Sequence, residues 1–280
     1  MAWHHLIKLA PNLFQVIEGK FVSFFILQGK NKTVLIDCGY GISDTYQEFN
    51  SLFIGEVIVV NTHIHPDHSN ANAYFPHTMM HRIEWEKHAL NWNANLYKIN
   101  ERKWNPALQL KIIDKHKLLP KSFSEKQYNQ WVSKGIPKAS LLENGDRIAI
   151  DNFDLEIIFT PAHTEGSISI LDHKNGYLFV GDAFCKDLKW LLNLKCRADL
   201  KSIFSTYKTF EKRAKEVAFV LPSHGEVMIA PNILTTINQK MEQIQRKVLT
   251  PKYFTKRYVE AGYYFDFGGF GPVFAPEVLD

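Results

Sequence analysis

Seven residues, Thr62-His63-Ile64-His65-Pro66-Asp67-His68, follow directly on an apolar run, Val57-Ile58-Val59-Val60. A short all-apolar run rich in β-branched residues reads as a buried strand. The polar side chains therefore stand where a strand gives way to a loop, the place where strand-built folds keep their chemistry. Imidazole nitrogen and carboxylate oxygen are the donors that zinc and its transition-metal neighbours take. The plain alternative is a polar loop that happens to hold three histidines. With 12 His in a chain of 280 residues, three between positions 63 and 68 beside an aspartate favour a metal site.

Three further positions repeat the design. His163, in Thr160-Pro161-Ala162-His163, follows the apolar stretch at 155–159, and Asp182, in Val180-Gly181-Asp182, follows Tyr177-Leu178-Phe179-Val180. His224, in Pro222-Ser223-His224-Gly225, follows Phe219-Val220-Leu221. Any one of these reads as a structural turn residue, but four strand ends that each deliver a ligand read as one site.

The rest of the chain supports a strand-rich body. Leu13–Ile17, Phe21–Leu27 and Thr33–Ile36 are parted by Gly19-Lys20 and Gly29-Lys30-Asn31-Lys32, so antiparallel pairing is expected. A helix capped by Ser43 follows, then the strand and motif, a short helix at 70–75 and a short strand at 78–80. Later come strands near 141–150 and at 153–159, a hairpin over 167–180, a helix over 198–217, a short strand at 219–221 and a helix over 232–248. Two strand-rich halves closed by helices, with no linker or repeat, give one layered domain over 1–280.

Two segments stand apart. Residues 82–138 carry twelve Lys or Arg against five Asp or Glu, and four of the six Trp: Trp85, Trp92, Trp104 and Trp131. A helical insertion is expected there, with Trp85 and Trp92 on one helix face and breaks near Pro106, Pro120 and Pro137. The aromatic, glycine-rich tail over 261–280 has no clear period and is expected to fold over the site or exchange with a second copy in a homodimer.

Composition adds bounds. A net charge of +4 demands neither nucleic acid nor an anionic membrane. Cys38, Cys185 and Cys196 match no ribbon or redox pattern, Cys185 reads as a small core residue, and a reducing compartment follows. No leader and no membrane-length apolar run is visible, so a soluble, cytoplasmic protein is expected.

His63-x-His65-x-Asp67-His68, then His163, Asp182 and His224 in that order on those strand ends, resembles the metallo-β-lactamase superfamily over about residues 10–230. The resemblance implies an α+β fold, a four-layer αββα sandwich of two mixed sheets with helices outside. It implies a first metal on His63, His65 and His163, a second on Asp67, His68 and His224, and Asp182 bridging them. Asp37 would support the site from behind. Ala162 and Ser223 stand where the family often has glycine, a small departure at small residues.

Two divalent ions about 3.5–4 Å apart can share a hydroxide whose pKa has fallen to about 7. Asp67, or a bound water, would carry the proton to the leaving group. Zinc is favoured by the donor set, and iron and manganese accept it too. The bridging Asp182 and the missing leader argue against antibiotic hydrolysis, and no residues remain for the flavin domain of diiron relatives. A carboxylic ester, lactone or thioester is the expected small-molecule substrate, as in lactonase-like and glyoxalase II-like members. The alternative is a phosphodiesterase or nuclease of the same fold, with the basic insertion clamping phosphates. The layout, with its insertion after the first motif, is nearer the lactonase-like members, and the insertion's tryptophans are read as part core and part wall of an apolar pocket.

Overall fold

A computed structural model describes residues 3–20, 22–89, 119, 123–124, 126, 137–194, 196–256 and 259–278. Trp92, Trp104, Trp131, Pro106 and Pro120 lie outside these residues, and so does most of the expected helical insertion. The chain packs as two units, Met1–Leu142 with Ala149–Phe153, and Glu143–Ile148 with Asp154–Asp280.

The first unit is built on a seven-stranded sheet in chain order: β1 (His4–Ala10), β2 (Leu13–Glu18), β3 (Val22–Gln28), β4 (Lys32–Ile36), β5 (Glu56–Val60), β6 (His77–His81) and β7 (Ser140–Leu142). From β1 to β4 the pairing is antiparallel, as the glycine-bearing turns predict for β2 to β4. From β4 to β7 it is parallel, so β4, β5 and β6 all release the chain at one edge of the sheet. The run Val57–Val60 is buried on both faces, which explains its unbroken apolar character. Full burial of side chains of this size stabilises by about 1.5–3 kcal/mol each. Between β4 and β5 lies α1 (Thr45–Phe49), whose N-cap is Asp44, accepting from the Gln47 N–H at 3.0 Å. The cap expected on Ser43 therefore falls one residue later; the Ser43 hydroxyl instead bonds Glu48. Both residue types cap well, so the pattern alone could not choose. A short helix, α2 (Pro66–Ser69), follows β5.

In the second unit a five-stranded sheet runs β13-β11-β10-β9-β8, with β8 (Arg147–Ile150), β9 (Phe153–Phe159), β10 (Ile168–Asp172), β11 (Tyr177–Gly181) and β13 (Phe219–Pro222). The turn Asn144-Gly145-Asp146 does not make a hairpin of its flanks, because β7 and β8 belong to different sheets. Helix α3 (Leu200–Arg213) is capped by Asp199, and its buried face is Ile203, Phe204, Thr206, Tyr207 and Phe210, the three-four spacing of an amphipathic helix. A later helix, α4 (Asn232–Gln245), packs on the same core.

One element departs from expectation. The tail expected over 261–280 is regular in part: β14 (Lys252–Lys256), β15 (Val259–Tyr264) and β16 (Gly271–Phe274) join β12 (Lys189–Leu192) in a third, four-stranded sheet. Phe265 and Phe274 are buried in the core of the second unit, with Phe267 and Phe270 packed against it. Cys185 is buried there too, as a small core residue should be. Among the described residues no helix is long and apolar enough to cross a membrane.

Candidate metal centre

Pro66 explains the local shape of the motif. It excludes the helical conformation from His65, whose backbone is extended at φ −58°, ψ 150°, and it opens α2. His63 and His65 therefore lie on extended chain, while Asp67 and His68 lie on the first helical turn. The Ser69 hydroxyl donates to the carbonyl of Ile64 at 2.7 Å and fastens the turn. The Ile64 N–H donates at 2.8 Å to Oε2 of Glu84, a fully buried carboxylate that sequence reading left within the basic insertion. Trp85 packs beside it against Ile64 and Met80.

Parallel register sets Ile36 opposite Val60, so Asp37 emerges beside Thr62. Asp37 takes up φ 61°, a left-handed conformation costly for most side chains and tolerated best by Asp and Asn. There its Oδ1 accepts the Thr62 N–H at 2.7 Å and its Oδ2 accepts the Thr62 hydroxyl at 2.8 Å. The same Oδ2 stands 2.8 Å from Nδ1 of His68. Nδ1 of His63 lies 3.0 Å from the Thr62 hydroxyl oxygen. One buried carboxylate thus orients two imidazoles by their Nδ1 atoms and leaves Nε2 of each to face a ligand. Gly39 completes the loop: at φ 86°, a Cβ there would lie 2.5 Å from the Glu18 carboxylate.

The second unit uses the same device. β11 and β13 are parallel with Gly181 opposite Pro222, which brings Asp182 beside Ser223 and His224. His163 stands in a loop pinned by the Ala198 N–H to the Ala162 carbonyl at 3.1 Å and by the Thr206 hydroxyl to the Pro161 carbonyl at 2.9 Å. Its Nδ1 is 2.7 Å from the Leu191 carbonyl, so its Nε2 too is the nitrogen presented.

Each of the seven predicted side chains offers a nitrogen or carboxylate oxygen able to hold a metal ion. Within the first unit, Nε2 of His63 is 3.1 Å from Nδ1 of His65, and Nε2 of His68 is 3.6 Å from Oδ2 of Asp67. Within the second, Asp182 turns Oδ2 to Nε2 of His163 at 3.5 Å and Oδ1 to Nε2 of His224 at 3.3 Å. Two ligand atoms on one tetrahedral ion, each bonded at about 2.1 Å, stand about 3.4 Å apart. All four spacings fit that value, and Asp182 offers a different oxygen to each histidine. The donor set therefore fits divalent metal.

Pre-oriented imidazoles paired with carboxylates at strand ends make a candidate metal site. Comparison with known proteins agrees. The pattern that defines the Metallo-beta-lactamase superfamily matches residues 17–224. The human protein named acyl-coenzyme A thioesterase MBLAC2 is 22% identical over 199 residues, covering 65% of this chain and 67% of its own, and the Bos taurus protein of that name matches equally. A metallo-beta-lactamase family protein from Thermus thermophilus superposes with a TM-score of 0.57 at 14% identity, over 88% of this chain and 85% of that one. A metallo-beta-lactamase from Pontibacter korlensis gives 0.58 at 19% identity, over 85% and 99%. The chain belongs to the metallo-β-lactamase superfamily, a hydrolytic family that typically binds divalent metals, and it has that family's α+β sandwich fold.

Proposed function

We propose that this protein is a binuclear metallohydrolase that cleaves a carboxylic ester, lactone or thioester, with the thioester favoured. In this reading His63, His65 and His163 hold one ion, Asp67, His68 and His224 hold the other, and Asp182 serves both. Zinc suits the nitrogen-rich set, and iron or manganese accept the same donors. The observation that carries the reading is Asp182, which directs its two oxygens to two different histidines at 3.5 and 3.3 Å. The likeness to proteins named as acyl-coenzyme A thioesterases inclines the choice of acyl group toward the thioester.

Bound divalent ions would supply an activated water near neutral pH and polarise the acyl oxygen. The chain's own residues do the rest. Asp37 holds His68 directly and His63 through Thr62, so the imidazoles need no reorganisation when ligands arrive. Asp67, half-buried with Oδ2 beside His68, is placed to pass a proton to the departing group. Trp85, packed on Ile64 between two of the proposed ligands, would line one side of the substrate site.

The test is a hydrolysis panel on the metal-loaded protein: acyl thioesters, lactones, aryl esters and bis-(p-nitrophenyl) phosphate. Turnover of the thioester above the others is expected. Cleavage of the phosphodiester alone would replace this reading with the nuclease alternative.

A further inference from the structure

A buried polar relay in the second unit touches the segment that carries Asp182 and the strand whose Leu191 carbonyl meets His163, yet contains none of the seven donors. Tyr207, on the inner face of α3, is 1% exposed. Its hydroxyl receives the Trp190 indole N–H at 3.0 Å and donates to the carbonyl of Ala183. Ala183 is the residue after Asp182. Trp190 is the residue before Leu191, whose carbonyl orients His163 through Nδ1 at 2.7 Å. One phenol thus joins β12, which aims the histidine, to the loop that aims the carboxylate.

The surroundings hold the relay still. The Trp190 ring packs against Phe184, Phe267 and Phe270 at centroid distances of 6.4, 5.7 and 6.2 Å. Burial pushes the Tyr207 phenol well above its ordinary range, so it keeps the proton that it donates. Trp190 and Ala183 are each 2% exposed, and water cannot replace the hydroxyl for either. Simple core filling does not account for the arrangement, because phenylalanine would fill nearly the same volume.

We propose that Tyr207 is a positioning residue for the metal centre, fixing the spacing between Nε2 of His163 and the carboxylate of Asp182 through Trp190 and Ala183. This rests on the metal reading above. The test uses Co2+ as the probe, with affinity from chelator competition, the visible ligand-field spectrum, and thermal unfolding. Tyr207→Phe is expected to lose about ten- to hundredfold in Co2+ affinity and to shift the spectrum. Phe210→Leu is the control, since Phe210 stacks edge-on against Tyr207 at 6.0 Å without a polar link to the relay. It should lower the melting temperature and keep wild-type affinity and spectrum.

Wild-type affinity and spectrum in Tyr207→Phe would overturn the proposal, and so would an equal loss of affinity in Phe210→Leu. Should Tyr207→Phe fail to fold, Trp190→Phe decides by the same two readouts, with a smaller loss in the same direction expected and no loss refuting. A wild-type chain that takes up no Co2+ sinks the metal reading and this proposal together. Wild-type binding beside an unaffected Tyr207→Phe sinks this proposal alone.

Discussion

Nδ1 of His68 stands 2.8 Å from Oδ2 of Asp37, and both side chains are closed off from solvent. A carboxylate behind an imidazole fixes the tautomer, raises the basicity of the far nitrogen and holds the ring in one orientation. Asp37 does this from a left-handed backbone position at the end of β4, where the strain has a use. Asp37→Ala should weaken metal binding by about ten- to hundredfold, measured by chelator competition. Asp37→Asn, which keeps an acceptor without the charge, should fall between. Wild-type affinity in the alanine variant would deny Asp37 its role behind the ligands.

The proposed two-ion reading turns on Asp182. Asp182→Ala and His68→Ala should each reduce turnover by about a hundredfold or more with the circular dichroism intact. Metal per chain, measured by elemental analysis, should be near two in the wild type and fall in both variants. A metal-free wild type that stays fully active would end the assignment.

How much of this was legible in the sequence follows from the physics of strand ends. The seven candidate donors stand out because each sits just past an apolar strand, and parallel pairing makes neighbouring strands release their chains side by side, as Ile36 with Val60 and Gly181 with Pro222. What could not be read lacks such a signature. β1 is an edge strand with Leu6 exposed, so its pattern never alternates cleanly. The third sheet joins Trp190 to Pro272 across a long stretch of chain, a pairing with no local period to announce it. Glu84 looks like one more charge in a charged segment, and Tyr207 like any aromatic on the apolar face of a helix.

The structure also predicts a pH effect at a buried histidine that is not among the seven donors. The ring of His4 lies between two carboxylates, with Nε2 3.2 Å from Glu18 and Nδ1 2.8 Å from Glu48. Burial works against the charged ring, but the bonds to Glu18 and Glu48 outweigh it and raise His4 from 6.5 to about 9. Folding therefore takes up a proton. The stability this supplies is complete below about pH 6.5 and is lost as the pH rises through about 9, at most about 3 kcal/mol. Urea unfolding of the wild type and His4→Gln at pH 6, 7.5 and 9.5 isolates the effect. The gap between the two proteins should narrow across that window; a constant gap would mean that folding does not raise the pKa of His4.

Glu84 holds the backbone of the segment that carries two of the proposed ligands, His63 and His65. Its Oε2 accepts the N–H of Ile64, the residue between His63 and His65, at 2.8 Å in a site without solvent. Replacing it with alanine leaves that buried N–H with no acceptor, a cost of about 1–3 kcal/mol. Because the N–H belongs to the segment that carries both histidines, the loss should appear twice, in urea unfolding and in metal affinity. Glu84→Gln retains an oxygen acceptor and should recover most of the affinity. If Glu84→Ala lowers stability while metal affinity stays at the wild-type value, the carboxylate anchors the fold and not the ligands.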